Sequence, residues 1–316
     1  MKKTNEILIL KSGCNDFENY YIEHMQREHI KTYAIYDTEK GIRWKIIWLW
    51  KEIFNLPFSH IWYGEWKKTI QNYDVVIVFD NNLNWNILEY IKKKNPNAKI
   101  IAWYWNVITK EKWNIPNKYR AICDVWSFDQ SDCIKYKMKK NIQFYDGELQ
   151  ENNQEIKYCA MFVGKDKGRY ALVTEIQKIL EKNGLRTFIN IVADKKKNFI
   201  NARCRMSEKR YKSAITYQEI VKKIKESRCI IDIPQPGQVG MTVRVLEALF
   251  YQKKLITTDI TLRDKGWFCE DNIYILGDEL KEQEILDFLS IPYNEMYKVN
   301  CMEYSFDTWI KNFQIS

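Results

Sequence analysis

The amino-acid sequence predicts an α/β protein that consists of two Rossmann-like domains in tandem. Short apolar runs recur along the chain, and each is followed by an amphipathic stretch of helical length. Strands that alternate with helices in this way form βαβ units around a parallel sheet. The alternation stops once, in the polar and acidic segment 146–156, and then starts again. The length of 316 residues fits this division, since a domain usually contains roughly 150 residues.

The first half begins with an apolar run at residues 7–10 and continues with regular alternation. Its strand segments are apolar throughout, as expected of a parallel sheet that is covered on both faces. The turn Asn95-Pro96-Asn97 separates a helix from the strand that follows it. In order along the chain, we predict strands over 7–10, 32–36, 75–79, 100–104 and 123–128, and helices over 16–28, 84–94 and 130–139.

The second half repeats this architecture, with a basic irregular segment, 194–213, that we predict to be a loop. Strands are predicted over 158–163, 187–192, 229–233 and 254–258, and helices over 169–182, 217–226, 242–251 and 306–313. The predicted domains are therefore residues 1–148 and 149–300, followed by a C-terminal segment, 301–316, whose helix can pack back on the first domain. Ligands of such folds bind beyond the carboxyl ends of the strands, so the expected site is the cleft between the two domains.

The composition excludes several classes of protein. Apolar residues make up 46% of the chain, which is more than a disordered chain contains. No run approaches the roughly 20 apolar residues of a membrane span. The eight cysteines include no C-x-x-C pair, so we expect a reduced, cytoplasmic protein. The net charge of +9 is scattered among acidic residues without a recognition motif, which argues against a nucleic-acid-binding protein.

Residues 232–249 have the most features of a binding site. A strand ends near Ile233, a loop with two prolines and two glycines follows, and a helix begins near Met241. The first turn of a helix carries unpaired N–H groups and the positive end of the helix dipole, so it attracts anions. The residues here that suit a phosphate-bearing ligand are Gly237, Gly240, Thr242, Arg244 and Glu247. The alternative is an ordinary strand–turn–helix in which Arg244 and Glu247 form a solvated pair.

Residues 162–170 offer a second loop of this kind. Gly164 and Gly168 free the backbone, while Lys165 and Arg169 add positive charge. The spacing matches neither a P-loop nor the G-x-G-x-x-G fingerprint. A basic turn of this type can simply be solvated, but two such loops at strand ends of one domain favour a phosphate-bearing ligand.

These segments resemble a known family. The stretches 162–169, 237–249 and 253–258, together with Trp126-Ser-Phe-Asp-Gln-Ser-Asp-Cys in the first half, are similar to GT-B-fold bacterial glycosyltransferases of surface-polysaccharide assembly. These are the capsular and lipopolysaccharide biosynthesis proteins, related to the CgeB-like group. The resemblance implies that the two domains face a cleft. It also implies a nucleotide-sugar donor, a UDP-sugar or GDP-sugar, on the second domain and a glycan or lipid-linked oligosaccharide acceptor on the first.

The resemblance extends to individual residues. Arg244 would contact the donor diphosphate, Glu247 the ribose, and the region around Tyr217 the base. The full set of implied donor-binding residues is Gly164, Lys165, Arg169, Tyr217, Gln238, Gly240, Thr242, Arg244 and Glu247. Many retaining relatives carry two glutamates eight residues apart, but Val239 stands eight residues before Glu247 here, with Gln238 as its nearest polar neighbour. This departure leaves retention or inversion open.

Metal and cofactor expectations follow from one missing motif. No Asp-x-Asp pair occurs in the chain, whereas metal-dependent GT-A transferases use such a pair to hold Mn²⁺ or Mg²⁺. Arg244, Lys165 and a helix N-terminus could neutralise the diphosphate instead. We therefore expect no essential metal, and no cofactor besides the nucleotide-sugar substrate.

An inverting transferase also needs a group that takes the proton of the acceptor hydroxyl. Asp16, Asp80 and Asp129 are the candidates, because each lies near the end of a predicted strand. Each could instead cap a helix or stabilise a turn. We place Asp16 first, because the first loop faces the cleft in this architecture.

Residues 42–58 mix tryptophan and isoleucine with lysine and arginine. A basic amphipathic helix of this kind can lie in a membrane interface, or it can form a core helix of the first domain. The positive net charge would favour peripheral contact with the inner face of the membrane. The sequence thus predicts a glycosyltransferase of bacterial surface-polysaccharide synthesis. The alternatives are a nucleotide-sugar epimerase of the same fold and a non-catalytic subunit of a polysaccharide assembly complex.

Overall fold

The computed structural model describes the chain over residues 5–13, 16–37, 59–108, 116–146, 154–194, 210–234, 241–295 and 301–315. The segment 42–58, most of 194–213, and Gly237, Gln238 and Gly240 lie outside these ranges. The chain divides into two compact units, Met1–Asp146 with Phe306–Ser316, and Gly147–Ser305. We call them unit 1 and unit 2. Each is an α/β domain around a parallel sheet, which confirms the predicted fold class.

Unit 1 contains a six-stranded parallel sheet. Its strands are β1 (Ile7–Lys11), β2 (Ile30–Ala34), β3 (Val75–Phe79), β4 (Lys99–Tyr104), β5 (Asp124–Ser127) and β6 (Lys139–Lys140), and its first helices are α1 (Asp16–His24), α2 (Trp85–Lys94) and α3 (Gln130–Tyr136). The strand order is β2-β1-β3-β4-β5-β6. It reverses between β1 and β3, which are buried along their whole length. A ligand of this sheet is therefore expected at the carboxyl ends of β1 and β3.

Unit 2 contains a five-stranded parallel sheet with the order β11-β10-β9-β7-β8. Its strands are β7 (Tyr158–Lys165), β8 (Thr187–Val192), β9 (Ser227–Asp232), β10 (Lys254–Thr257) and β11 (Ile273–Ile275), and its helices are α4 (Tyr170–Lys182), α5 (Tyr217–Lys225), α6 (Val243–Phe250) and α7 (Glu282–Ser290). The order reverses between β7 and β9. The carboxyl ends of these two strands are the expected ligand position of unit 2.

The helix near the C-terminus, α8 (Phe306–Asn312), is part of the core of unit 1. Trp309 on this helix has no exposed surface. Its ring stacks on Phe144 with a centroid distance of 4.4 Å and meets the edge of Trp103 at 5.5 Å. Asn141 Nδ2 donates a 3.0 Å hydrogen bond to the Trp309 carbonyl. These contacts fix α8 to the end of the unit 1 sheet that carries β4 to β6.

Several predicted boundaries are wrong. Helix α1 ends at His24 rather than at residue 28, because the chain turns and Arg27 pairs with Ile30. The predicted helix 130–139 ends at Tyr136, because Lys137 adopts the left-handed conformation with φ 51°. Strand β11 and helix α7 have no counterpart among the predicted elements, since the strand has three residues and the helix begins without a side-chain cap. In the part of the chain that the structure describes, no helix is long and apolar enough to cross a membrane.

Candidate functional site

A cluster of charged residues lies at the carboxyl ends of β7, β9 and β10. Strand β9 pairs with both neighbours, so the carboxyl ends of the three strands are adjacent. Lys165 ends β7 and Asp232 ends β9. Helix α6 begins at Val243. The two segments singled out by the sequence therefore start side by side at one edge of the sheet.

Arg169 connects the loops that follow β7 and β9. Its Nη1 donates to the Ile233 carbonyl at 2.8 Å, and its Nη2 donates to the Lys165 carbonyl at 2.5 Å. A Cβ atom at Gly164 would lie 3.2 Å from the Arg169 Nη2 atom, so the glycine leaves room for the guanidinium group. Arg169 thus holds the loop backbone in place, and its charge stays at the site. Lys165 is exposed.

Helix α6 carries a buried ion pair. Arg244 Nη1 contacts Glu247 Oε2, and Tyr217 on α5 donates a 2.7 Å hydrogen bond to Glu247 Oε1. The Glu247 side chain has no exposed surface, whereas 21% of the Arg244 side chain is exposed. Burial by itself would lower the pKa of Arg244, but the combined effects of Glu247, Tyr217 and Asp232 raise it above its ordinary value. The solvated pair considered from the sequence is thus wrong: the pair is buried, and only the arginine reaches solvent.

Thr242 is the residue immediately before α6. Its Oγ1 accepts a 3.3 Å hydrogen bond from the Val245 backbone N–H, so it caps the helix. Its hydroxyl group also lowers the pKa of the Asp232 carboxyl group. Thr242 therefore lies close to the end of β9.

Asp232 is a site residue that the sequence analysis missed. It is 2% exposed, and its Oδ2 atom has no hydrogen-bond partner among the described residues. Burial raises the pKa of Asp232 to about 6, against the opposing effects of Thr242, Arg244 and Arg169. Asp259, which follows β10, also raises this pKa and likewise has a buried Oδ2 atom without a described partner. The available signal was an aspartate that closes the apolar run Cys-Ile-Ile-Asp.

Partly exposed aromatic rings flank the loop after β7. Tyr211 donates a 2.5 Å hydrogen bond to Asp166 Oδ2. The Arg210 guanidinium lies 4.8 Å from the centre of the Tyr170 ring and 4.9 Å from that of the Tyr211 ring. Tyr217, which the resemblance places near a base, is instead 2% exposed and bonded to Glu247. Tyr170 and Tyr211 were missed because their proximity depends on the path of the chain between them.

The three candidate acids of unit 1 have different environments. Asp16 is exposed at the first position of α1. Asp80 is 3% exposed and accepts hydrogen bonds from the Trp105 N–H at 3.3 Å and from Asn106 Nδ2 at 3.4 Å. Asp129 has no exposed surface and caps α3 through a 2.9 Å bond from the Asp132 N–H. Asp129 therefore caps a helix, which is the alternative role that the sequence left open for it.

A buried charge cluster lies beside Asp80, where the strand order of unit 1 reverses. Lys11 at the end of β1 has no exposed surface, and its Nζ atom lies 3.1 Å from Glu18 Oε2. The same ammonium group lies 4.5 Å from the ring centres of both Phe79 and Trp105. Burial lowers the pKa of Lys11, and the charges of Glu18 and Asp80 oppose that effect. No feature of the sequence predicts a buried lysine at the end of this apolar strand.

Potential metal ligands are dispersed in the described ranges. No group of three or more histidine, cysteine, aspartate or glutamate side chains there could hold a metal ion.

Comparison with known proteins identifies the fold. No family model matches the chain, and no curated protein sequence matches it. AviGT4, a glycosyltransferase involved in avilamycin A biosynthesis, matches with a TM-score of 0.57 and 9% identity over 98% of this chain and 96% of that one. HepE from Anabaena, solved with UDP-glucose, matches with a TM-score of 0.54 and 11% identity over 98% of both chains. The T4 phage BGT in complex with UDP and Mn²⁺ has a TM-score of 0.49 and 13% identity over 97% and 95%.

The likeness to AviGT4 and HepE extends over nearly the whole of each chain, and the identities are low. It is therefore a likeness of fold. The chain has the GT-B fold, with two α/β domains that each contain a parallel sheet.

Proposed function

We propose that this GT-B chain is a glycosyltransferase whose unit 2 binds a nucleotide-sugar donor. The observation that carries the proposal is the cluster of Arg244, Arg169, Lys165 and the buried Asp232 at the carboxyl ends of β7 and β9. This is the position at which a parallel sheet with reversed strand order binds its ligand. HepE, which has the same fold, was solved with UDP-glucose. A UDP-sugar or GDP-sugar is the proposed donor.

The diphosphate would bind between the start of α6 and the loop after β7. Part of the Arg244 side chain is exposed there, and the free N–H groups of the first turn of α6 add positive potential. Lys165 supplies a second charge. Gly240 and Gln238 stay in the proposed donor set by virtue of the sequence resemblance.

Glu247 has a different role in this proposal. Both of its carboxylate oxygens are engaged, one by Tyr217 and one by Arg244. It would therefore orient Arg244, and contact with the ribose would require these bonds to rearrange. The half-exposed rings of Tyr170 and Tyr211, beside the loop after β7, are better placed to stack on a base than the buried Tyr217.

Unit 1 would bind the acceptor. Asp16 remains the first candidate for the base, because it is exposed at the carboxyl end of β1. Asp80 is the second, since it lies beside the Lys11–Glu18 pair at the reversal point of the sheet. Asp129 would contribute by capping α3, because its carboxyl group accepts the hydrogen bond of the Asp132 N–H.

The biological setting is proposed from the sequence resemblance. It supports a role in surface-polysaccharide synthesis, in capsule or lipopolysaccharide assembly, as in the CgeB-like group, with a glycan or lipid-linked acceptor at the cytoplasmic face of the membrane. Metal-independent transfer is part of this proposal, because Arg244 and Lys165 can offset the charge of the diphosphate.

The test is calorimetric titration of the wild-type protein with UDP, UDP-glucose, GDP and GDP-mannose, with and without EDTA. One nucleotide class should bind. Arg244→Gln and Lys165→Gln should each weaken this binding about tenfold or more, because a charge-assisted hydrogen bond contributes about 1.5–3 kcal/mol. Lys178→Gln on α4 is the matched control, since this exposed lysine lies outside the loops.

Lys165 is exposed, so its variant separates loss of binding from loss of folding. Equal nucleotide affinity in the wild type and both variants would refute the donor site. Loss of binding in EDTA would refute metal independence. Release of the nucleoside diphosphate from the bound donor would support transfer, whereas conversion to an epimeric nucleotide sugar would contradict it.

A further inference from the structure

Two adjoining cavities lie at the amino end of the unit 2 sheet, away from the candidate donor site. Each has a volume of about 360 Å³, and both are lined by Ile156, Arg228 and Ser290. The first opens beside the starts of β7 and β8, and the second beside the start of β10 and the end of α7. We call the two together the basal groove. The site described above begins at Lys165, the opposite end of β7.

The charged side chains that line the basal groove are all cations. Lys157, Arg186 and Arg228 line the first cavity and are exposed, and Lys253 and Lys254 line the second. Among the described residues, no carboxylate lines either cavity. Glu226 lies nearby, but it is buried and already pairs with Lys157 at 2.8 Å and with Lys223 at 2.9 Å. Lys157 is therefore paired, whereas Arg186 and Arg228 have no carboxylate partner among the described residues and give the groove a net positive charge.

The two lysines of the second cavity are buried, and their ammonium groups donate to backbone carbonyls. Lys253 is 3% exposed and donates to the Lys225 carbonyl at 2.9 Å. Lys254 is 1% exposed and donates to the carbonyls of Phe288 and Ile291 at 2.5 and 2.7 Å. Burial lowers the pKa of Lys253 to about 8 and also lowers the pKa of Lys254, where Asp271 partly opposes the effect. A bound anion would favour the charged form of both lysines.

The rim of the groove is apolar. Ile156 and Ile291 both line the second cavity, and they are 42% and 40% exposed. Leu185, Leu286 and Leu289 form walls of the first cavity. A soluble anion gains nothing from exposed isoleucines beside arginine and lysine. Aliphatic side chains among cations are instead typical of surfaces that bind the interface of an anionic membrane.

We propose that the basal groove binds the phosphate head group of an anionic membrane lipid, with Ile156 and Ile291 in contact with the acyl region. This inference is independent of the proposed donor site, because it uses none of the same residues. It assigns membrane contact to unit 2 through residues that lie far from 42–58 in the sequence.

The experiment measures binding of the whole protein to sedimented vesicles of phosphatidylglycerol and of phosphatidylcholine. The wild type should bind the phosphatidylglycerol vesicles preferentially. Arg186→Gln with Arg228→Gln should weaken that binding about thirtyfold, since a cation near an anionic surface contributes about 1 kcal/mol. Lys178→Gln with Lys222→Gln removes the same charge from exposed positions on α4 and α5 and should leave most of the binding intact.

A second pair of variants tests the apolar contact. Ile156→Ser with Ile291→Ser should also weaken vesicle binding, although it changes no charge. Equal loss in the arginine variant and its lysine control would overturn the proposal, because binding would then follow net charge alone. An increase in the wild-type melting temperature with inorganic phosphate, without vesicle binding, would identify a soluble anion and equally overturn it.

Discussion

At the scale of single residues, Asp232 is the group whose chemistry depends most on its surroundings. It closes an apolar strand, so the sheet buries its carboxyl group among Arg169, Arg244 and Thr242. These partners stabilise the charged form, yet burial outweighs them and raises the pKa to about 6. Protonation of Asp232 removes its negative charge beside the two arginines. More of their positive potential is then available to a phosphate-bearing ligand.

The stability of the protein should therefore depend on the protonation of Asp232. The folded-state pKa lies above the ordinary value of 3.8. The contribution of this group is thus fully present below about pH 4 and is lost as the pH rises through about 6. Relative to Asp232→Asn, the wild type should lose on the order of 2–3 kcal/mol of unfolding free energy between pH 4 and pH 7.

Urea denaturation of both proteins across this pH range measures the difference directly. The same exchange at the exposed Asp278 is the control for general charge effects. Parallel stability curves for the wild type and Asp232→Asn would show that the carboxyl group titrates normally.

The sequence identifies part of this site. Thr242, Arg244 and Lys165 are recognisable because a glycine-containing loop before a helix has a local signature. The pairing of Glu247 with Tyr217 is not, since the two residues lie thirty positions apart and meet only when α5 and α6 pack. Asp232 and Lys11 were missed for a related reason: each closes an apolar strand, but the sequence does not show whether a charged residue in that position is buried or exposed.

At the scale of elements, α6 depends on the residue that precedes it. The helix is buried from Val245 to Phe250, so its position determines how Arg244 faces the site. Thr242 caps the helix through the Val245 N–H. Thr242→Ala should lower the unfolding free energy by about 1 kcal/mol, the usual effect of removing a helix cap.

Thr242→Ser is the matched control, because serine retains the hydroxyl group. It should have nearly wild-type stability in urea denaturation. If the alanine and serine variants were equally stable, the hydroxyl of Thr242 would contribute nothing to α6.

Elements with a strong hydrophobic pattern were predictable from the sequence, whereas the shortest strands were not. Strand β3 is an uninterrupted apolar run, and β9 contains the apolar run Cys229-Ile230-Ile231, because both faces of the sheets are covered. Strand β6 has two residues and β11 has three, which is too short for any period to appear. The end of α3 depends on the left-handed backbone of Lys137, a residue type that rarely adopts it.

At the scale of the whole molecule, the chain completes unit 1 with residues that follow unit 2. Helix α8 supplies Phe306 and Trp309 to an aromatic cluster with Phe144, and Phe313, which follows the helix, packs on Trp309. All three are buried to 1% exposure or less. The hydrophobic core of unit 1 is therefore incomplete until residues 306–313 have been synthesised.

Truncation after Ser305 should consequently destabilise unit 1 and spare unit 2. Replacement of a buried tryptophan or phenylalanine by alanine typically costs about 3–5 kcal/mol, and the truncation removes three such side chains. Hydrogen exchange should become faster in β3, β4 and β5, whereas protection in β7 and β9 should remain.

Trp309→Ala should produce a weaker form of the same pattern. Exchange that accelerates equally in both sheets would mean that the two units unfold as one, and unchanged exchange in β4 would mean that α8 adds nothing to the core.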